Sequence, residues 1–200
     1  MATPRERFVE ALKFLQELQE KGIVGIHTDD MPNRKYREIL SKNGFIREVV
    51  KGWYIITSPE EKNGETTAWY SSYWDFVAIF LERKYGDNWC LSADQSLLLH
   101  AANQSVPQQL LVRSPQGNNN PTPLPHNTSL FNIRGELPSA DQLIVTPNGI
   151  RMYNLQSALI YSSASSYTRN AIDARTVLSM IRDASELLPV LLENGHTTLA

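Results

Sequence analysis

The sequence predicts an α+β protein in two parts, and three observations carry that prediction. Residues 1–57 run through a helical repeat, a short β-branched segment, a second helical repeat and two β-rich segments broken at Lys51-Gly52. Residues 58–66 (SPEEKNGET) are polar and contain Pro, Asn and Gly, which marks a boundary. Beyond it, helical and strand-like segments are mixed to the end of the chain. The predicted domains are residues 1–62 and residues 63–200.

Residues 4–20 place Phe8, Leu12, Leu15 and Leu18 at helical spacing, with Val9 and Ala11 widening the apolar stripe. Thr3-Pro4 supplies an N-cap followed by proline at the first helical position, and Lys21-Gly22 closes the helix. Residues 23–27 form a short strand. Asp29, Asp30 and Pro32 are expected to start a second helix, buried through Tyr36, Ile39 and Leu40 and stopped by Asn43-Gly44. Residues 45–50 and 53–57 then make a hairpin turned at Lys51-Gly52. Helix, strand, helix, hairpin is the order of a winged helix-turn-helix, less one helix.

In the second part a helix is predicted over 71–84, packing through Trp74, Val77, Ala78 and Leu81. Residues 89–91 make a short strand, Ser92 caps a helix with the face Leu97, Leu98 and Ala101, and residues 109–113 make a strand opened after Pro107. Residues 114–127 (SPQGNNNPTPLPHN) read as a long, mobile loop with no core of its own. Residues 129–134, 142–146 and 150–153 read as strands, the last two joined at Pro147-Asn148-Gly149. Leu155 opens a short helix, a serine-rich break follows, and one long final helix is expected over 172–192.

The chain has 200 residues, 42% hydrophobic and 20% charged, enough for an ordinary packed core. No segment approaches the ~18 apolar residues of a membrane helix. The start, MATPRERF, has no apolar signal core, so a soluble cytoplasmic protein with no membrane partner is expected. The lone Cys90 offers no internal disulfide, and His27, His100, His126 and His196 lie too far apart to mark a metal site. Asp94 and His100 fall on different faces of one predicted helix, and His100 suits the negative end of its dipole. There is no glycine-rich phosphate loop, carboxylate pair or Ser-His-Asp pattern. Neither enzymatic chemistry nor a cofactor is expected. Trp69, Tyr70, Tyr73 and Trp74 read as core and domain-interface residues rather than as a base-stacking platform.

Charge is the informative feature. The net charge is −2, yet residues 31–52 hold six basic and two acidic side chains, a local +4 on a body of −6. Arg34, Lys35, Arg37 and Lys42 on the second helix, with Arg47 and Lys51 on the hairpin, are the candidate DNA-binding residues. A recognition helix reaches base edges and phosphates in the major groove while a β-wing meets the backbone. Two readings stay open, because the same charges also make an ordinary solvated face and winged helices also bind proteins.

The segment RKYREILSKNGFIREVVKGWY, Arg34 to Tyr54, resembles the winged-helix opening of AbiEi-type antitoxins from abortive-infection toxin–antitoxin systems. LSADQSLLLHAANQSVPQQLLV, Leu91 to Val112, looks like the second domain of the same family, with Ser92, Leu97, Leu98 and Pro107 in structural places. The departure is at residues 28–32, where the first helix of the helix-turn-helix is nearly gone. The whole chain also looks like the N-terminal region of long Fic-family proteins, which carry such a module ahead of an AMP-transferring domain. The motif HPFxxGNGR of that domain is absent here, and the close on NGHTTLA just after a helix reads as a cut within a longer protein. The resemblance implies repression of the protein's own promoter, and a toxin or Fic domain as the protein partner. It leaves the oligomeric state open.

Overall fold

Thr3 and Glu6 cap each other at the start of α1 (Pro4–Glu20). The Thr3 hydroxyl accepts from the Glu6 amide at 3.2 Å, and the Glu6 carboxylate accepts from Thr3 N–H at 2.7 Å. These are the first residues of a computed structural model that describes residues 3–61 and 64–194. The fold is α+β. The chain divides into two units: Met1–Phe80 with Pro123–Asn127, and Leu81–Thr122 with Thr128–Ala200.

In the first unit α1 is followed by β1 (Gly25–His27), a 3₁₀ turn (Thr28–Asp30), α2 (Arg34–Lys42), β2 (Ile46–Val50), β3 (Trp53–Ile56) and α3 (Thr67–Tyr85), which runs on past Phe80. The sheet order is β1-β3-β2, antiparallel throughout, so the hairpin pairs back onto the strand that precedes α2. This is winged-helix topology. One face of the sheet packs Ile26, Ile46 and Tyr54 with Ala11 and Leu15 of α1 and Leu40 of α2. On the other face Trp53 meets Phe76 and Phe80 of α3 edge-on, with ring centroids 5.9 and 5.5 Å away. The first unit therefore extends beyond the polar 58–66 segment.

Two boundaries differ from expectation. Asp29 and Asp30 do not open α2; they end in a 3₁₀ turn, and the cap is Asn33, whose side chain accepts from Tyr36 N–H at 3.1 Å. Met31 explains the shift, because it precedes Pro32 and is held extended (φ −81°, ψ 136°). α3 starts at Thr67 rather than Ser71, because the Glu61 carboxylate accepts from the Ala68 amide at 3.1 Å. Its early aromatic residues are core: Trp69, Tyr73 and Phe76 are all buried, while Tyr70 is exposed.

The second unit holds β4 (Cys90–Leu91), α4 (Ala93–His100), β5 (Gln109–Ser114), β6 (Pro121–Pro123, whose last residue lies in the first unit) and β7 (Ser129–Arg134). Their sheet order is β4-β5-β7-β6, with β5 and β7 parallel. A hairpin of β8 (Leu143–Val145) and β9 (Arg151–Tyr153) follows, then α5 (Leu155–Tyr161), α6 (Ala164–Arg169), α7 (Ala171–Met180) and α8 (Leu188–Asn194). Residues 114–127 are not the unstructured loop expected. The buried Asn132 donates to Asn120 O and Thr122 Oγ1, and Gly117 lies so close to Ile133 that a Cβ would come within 2.5 Å of its carbonyl oxygen. The serine-rich break is helix α6, capped by Ser163. The single final helix is two: α7 stops at Met180, Asp183 caps an intervening 3₁₀ turn (Ala184–Glu186), and Pro189, which cannot donate to the carbonyl of Ser185, falls in the first turn of α8.

Leu40 is fully buried between α1 and the sheet. Leu40→Ala is expected to cost about 2–5 kcal/mol in urea unfolding followed by tryptophan fluorescence. Val9→Ala, at a side chain 46% exposed, is expected to stay within about 0.5 kcal/mol.

Candidate nucleic-acid interface

α2 is short and strongly two-sided. Leu40 points into the core, Tyr36 and Ile39 flank it, and Arg34, Lys35, Glu38 and Lys42 are exposed on the opposite side. Lys35 and Lys42 lie seven positions apart on one stripe, about 10 Å along the axis. Glu38 sits between them. Its carboxylate accepts from Arg34 Nε at 2.7 Å, an i,i+4 pair exposed on both sides. The exposed face thus carries three cations and one anion, and the anion is held by Arg34.

The hairpin forms a short wing. Its turn is Lys51-Gly52, where Gly52 has φ +80°, a region open to glycine and strained for other residues. Two anchors hold it. Gly52 N–H donates to Glu48 Oε1 at 2.9 Å, and Gly52 O accepts from both the amide (2.8 Å) and hydroxyl (2.9 Å) of Thr28. The 3₁₀ turn that stands where a helix-turn-helix has its first helix is therefore the support of the wing. Irregularity between Glu48 and Val50 twists the strand just before the turn. His27 braces the same corner, with its ring 5.0 Å from Trp53.

The six predicted cations divide. Arg34, Lys35 and Lys42 share the outer face of α2, and Lys51 is exposed at the wing turn. Arg37 is half-buried beside Tyr54. Burial is the main cause that raises the pKa of the Tyr54 hydroxyl, Glu48 adds to it and Arg37 opposes it. Arg47 is turned away from the set, paired with Glu61 at 3.4 Å, and the Glu61 side chain is only 9% exposed. Among the described residues Lys35, Arg37, Lys42 and Lys51 have no carboxylate partner within 4 Å. Sequence reading missed Thr28 and Arg7. Arg7 joins Lys35 and Lys42 along a groove of about 560 Å³ between α1 and α2.

No family model matches the chain, and no curated protein matches it. Among solved structures, the crystal structure of the RV2827C protein from Mycobacterium tuberculosis is similar. It covers 92% of this chain and 71% of its own, with a TM-score of 0.53 and 16% identity. The likeness is one of fold. It extends through both units and supports the architecture described above.

The polar groups singled out in the second unit are structural ties. The Asp94 carboxylate accepts from Ser163 N–H at 2.7 Å and from its hydroxyl at 2.9 Å, and the His100 ring meets Tyr153 O at 2.9 Å. Burial pushes the Cys90 thiol up to about 11, with Arg113 opposing, so it stays protonated at neutral pH. Among the described residues no group of three His, Cys, Asp or Glu side chains is placed to hold a metal ion. No helix among them is long and apolar enough to cross a membrane.

Thr28→Val removes the hydroxyl donor to Gly52 O and leaves the amide bond in place. The expected loss is about 1 kcal/mol in thermal or urea unfolding, with faster amide exchange at Lys51 and Gly52. Unchanged exchange there would show that the wing does not depend on this turn.

Proposed function

We propose that the first unit binds duplex DNA and that the chain is an antitoxin-like transcriptional regulator module acting in the cytoplasm on its own promoter. One observation carries this reading. The exposed face of α2 sets Arg34, Lys35 and Lys42 on a winged-helix frame whose wing turn presents Lys51. A helix of this width enters a major groove, and cations on it and on a wing beside it meet the flanking phosphates. The antitoxin part of the proposal rests on the resemblance of residues 34–54 and 91–112 to AbiEi-type antitoxins. The likeness of the whole chain to the N-terminal region of Fic-family proteins makes a toxin or a Fic domain the protein partner, engaged through the second unit.

A second reading is a protein-binding module that controls such a partner without specific DNA binding. Glu38 in the middle of the α2 face favours it, since a carboxylate there faces the phosphates of a bound duplex.

Fluorescence anisotropy with a labelled duplex from the protein's own upstream region separates the two. Binding is expected at about 50 mM salt and is expected to weaken steeply by about 200 mM, as counterion release requires. Replacing Arg34, Lys35 and Lys51 together by Ala is expected to weaken it at least about tenfold at low salt. Glu38→Gln is expected to tighten it. No binding at low salt, or a triple variant that binds like the wild type, would reject the DNA reading. Capture of a toxin or Fic domain by such a non-binding chain would support the second.

A further inference from the structure

We infer that the groove between the start of α1 and the outer edge of α2 is a backbone-phosphate subsite for one strand of a DNA duplex, with Arg7, Lys35 and Lys42 as its contacts. The inference rests on the DNA reading above and extends it to a part of the surface that the basic island of residues 31–52 does not include.

In a helix-turn-helix the first helix crosses the DNA backbone while the second enters the groove. Here that first helix is the 3₁₀ turn Thr28–Asp30, which brings Asp29 and Asp30 and is committed to holding Gly52. That turn brings no cation of its own to a phosphate, and the Asp29 carboxylate lies 3.2 Å from His27 Nδ1. The wing corner offers Lys51 to one strand, and the strand across the major groove needs donors of its own.

The groove supplies them on the far side of α2. Around α2 Arg37 lies beside Tyr54 and the wing, whereas Lys35, Ile39 and Lys42 face the first turns of α1. Arg7 stands on that wall of α1, and Phe8 and Ile39 add apolar surface to the lining. The only carboxylate lining the groove among the described residues is Glu38, and Arg34 already holds it. Three cations without a carboxylate partner thus surround a volume of about 560 Å³. A phosphodiester fits both parts of it: the phosphate oxygens accept from the guanidinium and ammonium groups, and the deoxyribose lies against Phe8 and Ile39. α2 would then sit in a major groove with one backbone strand at the wing, met by Lys51, and the other in this groove. An acidic peptide with an apolar side chain is the competing occupant.

The test compares salt dependence of duplex binding by the full chain. Each lost phosphate contact lowers the slope of log K against log salt by about 0.9. Arg7→Ala is expected to lower it by about one contact and to weaken binding several-fold at about 0.1 M salt, equally for the upstream duplex and an unrelated one. Arg7→Lys is expected to keep the slope, and Lys35→Ala with Lys42→Ala to lower it by about two contacts. Lys21→Ala, at the opposite end of α1, is the control and is expected to change nothing. Circular dichroism and Tm matching the wild type establish that each variant is folded. If duplex binds and Arg7→Ala keeps the wild-type slope, the groove is not the subsite and the DNA reading stands. If the folded wild type binds polyglutamate through Arg7 and no duplex, both fall. If it binds neither, both fall as well.

Discussion

β3 is buried on both faces, and the first unit is arranged around that constraint. Trp53, Tyr54 and Ile55 are each less than 10% exposed, although successive side chains of a strand point to opposite sides. Tyr54 belongs to the layer of α1 and α2, while Trp53 belongs to the aromatic stack of Phe76 and Phe80 on α3. It is also the central strand of its sheet, with β1 and β2 on its edges. The sequence WYII, continuous rather than alternating, is what such a strand requires. Burying a tryptophan and its neighbours at about 25 cal/mol per Å² makes this the dominant local term.

Everything proposed to act is attached to that strand. β2 leaves it through Lys51-Gly52, so the wing position follows from the register of the hairpin. α2 lies on its Tyr54 face and is fixed by Leu40. β1 pairs with its other edge and runs directly into Thr28, which holds the wing turn from below. The reduction of a helix to a 3₁₀ turn is thus compensated structurally by two hydrogen bonds to Gly52 O. It brings no cation in exchange, because the turn is Thr28-Asp29-Asp30. The groove at Arg7 is where the first unit recovers positive charge on the side of α2 away from the wing.

Most of the first unit is legible in the sequence because its signals are local. Thr3-Pro4, the helical stripe of α1, Asn43-Gly44 and the break at Lys51-Gly52 each declare an element within a few residues. What was misread depends on less local chemistry. Pro32 outweighs the capping potential of Asp29 and Asp30 by holding Met31 extended. Pro189 sits inside an apolar stripe that otherwise continues, so periodicity alone joined α7 to α8. Asn132 ties down Asn120 and Thr122, up to 12 positions away, and the parallel pairing of β5 with β7 has no local signature. The candidate site shows the same division. Charge and spacing identify the cations of α2 and the wing. Only the fold shows that Arg47 is turned toward Glu61 across a boundary in the sequence, and that Arg7, on a different helix, stands beside Lys35 and Lys42.

The central claim is that α2 and its two flanks form one surface for a DNA duplex. Mapping amide chemical shifts of the full chain as a short duplex is added tests it most directly. The account predicts the largest changes at Arg7, at Lys35 and Lys42, and at the Lys51-Gly52 turn, with Arg47 and the second unit little affected. Changes confined to the second unit, or no changes at low salt, would contradict it.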